Sequence, residues 1–142
     1  MPNSELIKNE PIKILIADND DIVLTGIERA LEDEGYATAT AVSCEEVAAM
    51  LSKNNFDLMV LDDYLSDGDS VQVLTECRGP EDGPLVIVTF NHSLAQDTRA
   101  QLQSLGVSAF VSKGAHPELA EIVRYLLAPQ PGWPGQMRCG IT

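Results

Sequence analysis

The chain alternates short apolar runs with stretches of helical spacing. Ile12 to Ala17 is an apolar, β-branched run broken only by Lys13, and it reads as a buried strand. It runs into Asp18-Asn19-Asp20-Asp21, which is too polar for a sheet interior. From Ile22 the spacing becomes helical. Ile22, Val23, Gly26, Ile27, Ala30 and Leu31 share one face, and Gly35 suits the position just past the helix end. Tyr36 to Val42 alternates weakly and reads as a second strand. Ser43-Cys44-Glu45-Glu46 is a capping-box pattern that opens a helix striped by Val47, Met50 and Leu51 and closed by Lys53-Asn54-Asn55.

The third strand, Asp57 to Asp62, drives four apolar residues straight into a carboxylate. A loop through Ser66-Asp67-Gly68-Asp69 leads to a helix over Ser70 to Cys77, and Gly79-Pro80-Glu81-Asp82-Gly83 is a turn cluster. Pro84 to Thr89 is a continuous apolar strand, and Asn91-His92-Ser93 a loop and cap. Leu94 to Leu105 is a mostly polar helix ended by Gly106, and Ser108 to Ser112 a fifth short strand. Lys113-Gly114-Ala115-His116 turns the chain into a last helix. There Pro117 suits the first helical position, and Leu119, Ile122, Val123, Leu126 and Leu127 form the apolar face. Strand then helix recurs throughout, and the strands are near-continuous apolar runs. That pattern predicts an α/β fold: a doubly wound, five-stranded parallel sheet with helices on both faces. The expected organisation is a lead-in over 1–11, one domain over 12–128 and a Pro/Gly-rich tail or linker start over 129–142.

Composition narrows the function. The 142 residues carry 22 acidic side chains against 9 basic ones, a formal charge of -13. Such a field repels nucleic-acid phosphates, so direct DNA or RNA binding is not expected. It favours cations or a basic partner surface, although acidity also simply keeps a protein soluble. The three cysteines, Cys44, Cys77 and Cys139, have no zinc-like spacing and read as reduced thiols of a cytoplasmic protein. No apolar run is long enough for a membrane helix, and Met1 to Glu10 is too polar for a signal peptide.

Polar groups at the strand ends supply the chemistry. The first strand ends at Asp18 and Asn19, the third at Asp62 and Asp63, the fourth at Thr89 and the fifth at Lys113. Taken singly, each has an ordinary explanation: the aspartates as turn or cap residues, Thr89 as a strand former, Lys113 as a solvated lysine. In a parallel sheet, however, all these ends face one lip, where ligands bind. Clustered carboxylates call for a cation, and magnesium takes one or two carboxylates plus phosphate oxygens and water. A carboxylate can also attack phosphorus, and a lysine can stabilise the transferred charge.

Over about residues 12–128 the chain resembles the receiver domain of two-component response regulators, a flavodoxin-like (βα)5 fold. The residues that carry the likeness are Ile14-Leu15-Ile16-Ala17-Asp18-Asn19, Asp57-Leu58-Met59-Val60-Leu61-Asp62, Val86-Ile87-Val88-Thr89 and Phe110-Val111-Ser112-Lys113. The resemblance implies that Asp62 is the phosphoacceptor for a sensor histidine kinase or phosphotransfer protein. It implies a Mg2+ (or Mn2+) site of Asp18, Asn19, Asp62 and the backbone carbonyl of Tyr64. Thr89 and Lys113 would contact the phosphate, and Thr89 with Phe110 would form a switch pair. Tyr64 and Asn91 would tune dephosphorylation, with Tyr64 shielding the phosphoryl group. Output would pass through the face of the fourth helix, fifth strand and fifth helix, to a downstream protein or a homodimer. The run from Lys113 to Leu119 is most similar to receivers that precede LuxR-type output domains.

Several positions depart from the family pattern. Asn19 replaces the usual second acid, which weakens the metal site unless Asp20 or Asp21 compensates. Leu24 stands where arginine is common, without an evident consequence. Ser66 and Ser70 replace a proline and a glycine, which predicts a less rigid loop after Asp62. Phe90 is bulky and narrows access to the acceptor. Gly114 stands where proline often follows the lysine. Asp63 is expected to point away from the pocket. The leading expectation is therefore a phosphorylated signalling receiver, not an enzyme beyond its own phosphorylation and slow dephosphorylation. The alternatives are a pseudo-receiver that works without phosphate and a Mg2+-dependent phosphohydrolase. The second is disfavoured by Tyr64, where such enzymes prefer Asp.

Overall fold

The computed structural model describes residues 10–77, 83–91, 93–114 and 116–128, with only the backbone of His116. The main sheet holds β1 (Lys13–Ala17), β2 (Ala37–Ala41), β3 (Leu58–Asp62), β6 (Leu85–Phe90) and β7 (Ala109–Ser112). All its pairings are parallel, in the order β2-β1-β3-β6-β7. The helices are α1 (Asp21–Asp33), α2 (Cys44–Lys53), α3 (Ser70–Glu76), α4 (Gln96–Ser104) and α5 (His116–Leu127). The sheet grows outward in one direction from β1 to β2 and in the other from β3 onward. The crevice of such a fold opens where that direction changes, at the carboxyl ends of β1 and β3.

Strand alternation builds two cores. Leu15, Met59, Leu61, Val86 and Val88 face α2, α3 and α4, whose Val47, Val73 and Leu102 are fully buried. Ile14, Ile16, Leu58, Val60 and Ile87 face the other way, against Leu24, Ile27 and Leu31 of α1 and Leu119, Val123 and Leu126 of α5. Neighbouring residues on a strand therefore serve opposite layers. Every position of β3 is buried, which explains why its sequence is unbroken by polar residues before Asp62.

The termini of the elements are specified locally. The Asp20 carboxylate caps α1 by accepting from the N–H groups of Ile22 and Val23. Gly35, at φ 96°, takes the left-handed turn after α1. Ser43 Oγ accepts from Glu46 N at 3.1 Å. The reciprocal bond shifts by one residue from the expected box, because Glu46 Oε1 accepts from Val42 N.

Three expectations are corrected. The loop after Asp62 is not loose. β4 (Tyr64–Leu65) and β5 (Gly68–Asp69) pair antiparallel, with Leu65 buried. The Asp67 carboxylate then accepts from Cys44 N at 2.7 Å and Glu45 N at 3.1 Å, which ties this hairpin to the start of α2. Second, α4 begins at Gln96, and Ala95 at its cap offers no side-chain bond, so Ser93 does not cap it. Third, α5 starts at His116, which puts Pro117 one residue inside it. The tail over 129–142, the lead-in over 1–9 and most of the turn cluster at 79–83 lie outside the described residues.

Leu102 is the one buried residue of α4, at 0 % exposure. Leu102→Ala is expected to cost about 3 kcal/mol, the scale of a cavity left by a buried leucine. Urea unfolding monitored by circular dichroism checks the loss.

Candidate functional site

Backbone bonding continues past the strand ends and fixes the lip. Asp62 is in register with Thr89, and Phe90 with Ser112. Beyond the ladders, Asp18 N donates to Ala41 O, Asp63 N to Thr89 O and Lys113 N to Phe90 O, at 2.8 to 3.1 Å. The side chains of Asp18, Asp62, Thr89 and Lys113 are thereby brought to one edge. Asp18, Asp62 and Thr89 are each no more than 4 % exposed, although they are polar.

Lys113 holds the two carboxylates together. Its Nζ lies 2.7 Å from Asp62 Oδ2 and 3.1 Å from Asp18 Oδ2. Burial pushes the Asp62 carboxyl above its ordinary range, and the charge of Asp18 adds to that. The Lys113 hydrogen bond opposes both, without cancelling them. For Lys113 burial favours the neutral amine, but the hydrogen bond of Asp62 and the charges of Asp62 and Asp18 win and its pKa rises. One cation thus serves two acids, and Asp62 keeps an uncompensated share.

Two buried atoms at this lip lack hydrogen-bond partners among the described residues: Thr89 Oγ1 and Asp18 Oδ2. The latter has only its ion contact with Lys113. An orphaned buried hydroxyl in register with the carboxylate is what a bound oxyanion would satisfy.

A cavity of about 490 Å³ opens over Asp62 and Lys113, bordered by Asn19, Asp63, Tyr64, Phe90, Asn91 and Ser93. Tyr64 is 70 % exposed, and its N–H points to Asp62 Oδ1 at 3.4 Å. The Asp63 carboxylate is buried and accepts from Ser70 Oγ at 2.7 Å, so its side chain is committed to the loop. Asp20 Oδ1 caps α1 by accepting from Ile22 N and Val23 N. Phe110 lies apart from this cavity, half-buried, with the Arg99 guanidinium 4.3 Å from its ring centre.

The donor set suits a hard cation. Asp62 and Asn19 border the cavity and Asp18 shares the lysine with Asp62, so oxygen donors of the kind such a cation takes are at hand. Among the described residues no group of three or more His, Cys, Asp or Glu gathers into a metal cluster. The buried thiol of Cys44 is no rival nucleophile, because burial and Asp67 push its pKa up to about 11.

Asp67, Ser70, Ser93 and Arg99 were missed by sequence reasoning. Asp67 and Ser70 brace the loop after Asp62, Ser93 borders the cavity, and Arg99 meets Phe110. Only the acidity of Asp67 beside a glycine offered a signal. Its partners lie 22 and 23 residues away.

Comparison with known proteins agrees with this arrangement. The model of the response regulator receiver domain matches residues 14–124. The chain belongs to that family. Over 106 residues this receiver is 32 % identical to the alginate biosynthesis transcriptional regulatory protein AlgB of Pseudomonas aeruginosa, covering 75 % of the chain. It is 29 % identical over 107 residues to the transcriptional regulatory protein GlrR of Escherichia coli. The matched part spans about a quarter of those relatives, 23 % and 24 %. A CheY-like receiver from Methanospirillum hungatei superposes with a TM-score of 0.76 at 23 % identity, over 82 % of this chain and 93 % of that one. The response regulator TrrA of Thermotoga maritima, solved with Mg2+ and beryllofluoride, gives 0.70 at 26 % identity, over 82 % and 99 %. Receivers of this family are regulatory parts of two-component systems. Among the described residues no helix is long and apolar enough to cross a membrane.

Lys113→Ala leaves two buried carboxylates without their cation. The expected cost is roughly 3 kcal/mol at neutral pH. The Asp62 carboxyl, already pushed up by burial, then loses the lysine that opposes that shift. The folded state binds more protons, so the cost shrinks as pH falls through the carboxylate range. Thermal melts of both proteins between pH 7 and pH 4 check this.

Proposed function

We propose that Asp62 is the phosphoacceptor of a two-component phosphorelay. The observation that carries this reading is the buried Asp62 carboxylate, ion-paired to Lys113 beside Asp18 and in register with the unpartnered Thr89 hydroxyl. Asp62 attacks the phosphorus of a phosphohistidine on a histidine kinase or phosphotransfer protein. The new P–O bond forms as the P–N bond breaks, and the imidazole leaves with its electron pair. Lys113 then turns its ammonium from the carboxylate to the phosphoryl oxygens, and Thr89 donates its hydroxyl to one of them.

Asp18, Asn19, Asp62 and the Tyr64 carbonyl would hold Mg2+ or Mn2+, which when bound offsets the charge of carboxylates and phosphoryl oxygens. Asn19 in place of an acid lowers that affinity. Tyr64, Phe90 and Asn91 border the cavity and slow the approach of water, so the acyl phosphate is moderately long-lived. The chain turns over no external substrate. Thr89 and Phe110 form the switch pair, and the signal leaves through the face of α4, β7 and α5. The recipient is an output protein or a second copy. The -13 charge disfavours DNA as a direct partner, and the setting is cytoplasmic.

The second reading, a pseudo-receiver working without phosphate, is favoured by Asn19 together with the commitment of Asp20 to the helix cap. Incubation with Mg2+ and acetyl phosphate separates the two. Intact-mass spectrometry should show one added phosphoryl group, lost in Asp62→Ala and on chelation of Mg2+. No added mass on the wild-type protein, or labelling that persists in Asp62→Ala, would rule out Asp62 as acceptor.

A further inference from the structure

The Arg99 guanidinium lies 4.3 Å from the centre of the Phe110 ring, within stacking and cation–π range. Arg99 has no carboxylate within ion-pair distance among the described residues, so the ring is its main partner. Phe110 is half-buried on β7, where it pairs with Val88 and borders the strand residue next to Thr89. Arg99 and Phe110 together line a groove of about 360 Å³ with Ala109, Ile122, Tyr125 and Leu126. The ring therefore rests between the strand of the unpartnered Thr89 hydroxyl and the outer groove.

The helix that carries Arg99 is lightly anchored. α4 has no side-chain cap at its N-terminus, and Leu102 is its one buried residue. The stack between Arg99 and Phe110 is therefore a direct side-chain link between α4 and β7.

We infer that Arg99 is a latch: its stack on Phe110 holds the ring in the resting position and couples the ring to α4. The inference rests on the receiver function proposed above. If Thr89 moves to a phosphoryl oxygen and Phe110 follows inward, the ring leaves the guanidinium and the stack is lost. The stack therefore weights the equilibrium toward the resting state and sets how much phosphoryl binding must overcome. The same loss frees α4 to shift, which alters the groove when the site is filled.

Titration with beryllofluoride in the presence of Mg2+, followed by amide NMR, tests this. Arg99→Ala should lower the half-saturating beryllofluoride concentration about two- to fivefold, the scale of a partly exposed cation–π contact. Arg99→Lys keeps the charge but not the planar stack, and should give a smaller shift. In a Phe110→Ala background Arg99→Ala should have no effect, because the partner is gone. An unchanged midpoint in Arg99→Ala, or an equal shift with and without Phe110, would overturn the latch while leaving the receiver function standing. Wild-type protein that fails to respond to beryllofluoride would remove both.

Discussion

The fold converges on one electrostatic constraint: two buried carboxylates held by one lysine. Asp18 and Asp62 approach each other because β1 and β3 are neighbours in register. Lys113 comes across from β7 and ion-pairs with both. No local preference favours that arrangement. The cost of desolvating the acids is offset by packing elsewhere, in the two aliphatic layers that lock the strands. The result is a buried, charged lip in which one lysine ammonium bridges two carboxylates beneath an open cavity.

The strand that ends at Asp62 is braced by its own loop. The Asp67 carboxylate accepts from successive amides at the start of α2, Cys44 N and Glu45 N, while Ser43 takes a third. Three orphan donors of one helix terminus are thereby satisfied, and the hairpin between Tyr64 and Asp69 is fastened to the layer beside it. Ser70 reinforces this by donating its hydroxyl to the buried Asp63. A stretch with the composition of a loose turn is in fact one of the more constrained parts of the lip.

Legibility followed the range of the physics involved. The strands, their apolar runs and the alternation of strand and helix were plain, because burial on both faces leaves a continuous signature. Asp62, Thr89 and Lys113 were legible as polar residues that interrupt such runs. Boundaries were less so: the start of α4 shifted because its sequence has neither a capping side chain nor a strong apolar stripe. The α2 cap was legible at Ser43, but the Glu46 bond falls on Val42 N, one residue from the expected box, and the part of Asp67 was not legible. A contact 22 residues away leaves no periodic trace.

By itself the sequence determined the layers, the parallel sheet and which side chains end each strand, since these depend on burial and on neighbours within a few residues. Only the tertiary structure decided that Asp20 is spent on a cap and that Asp63 turns to Ser70. It alone showed that Lys113 spans both acids and that Arg99 covers Phe110. Each of those choices pits a helix terminus, a hydroxyl, a charge or a ring against the others for one side chain. Such contests are settled by distances between elements, which spacing along the chain does not encode.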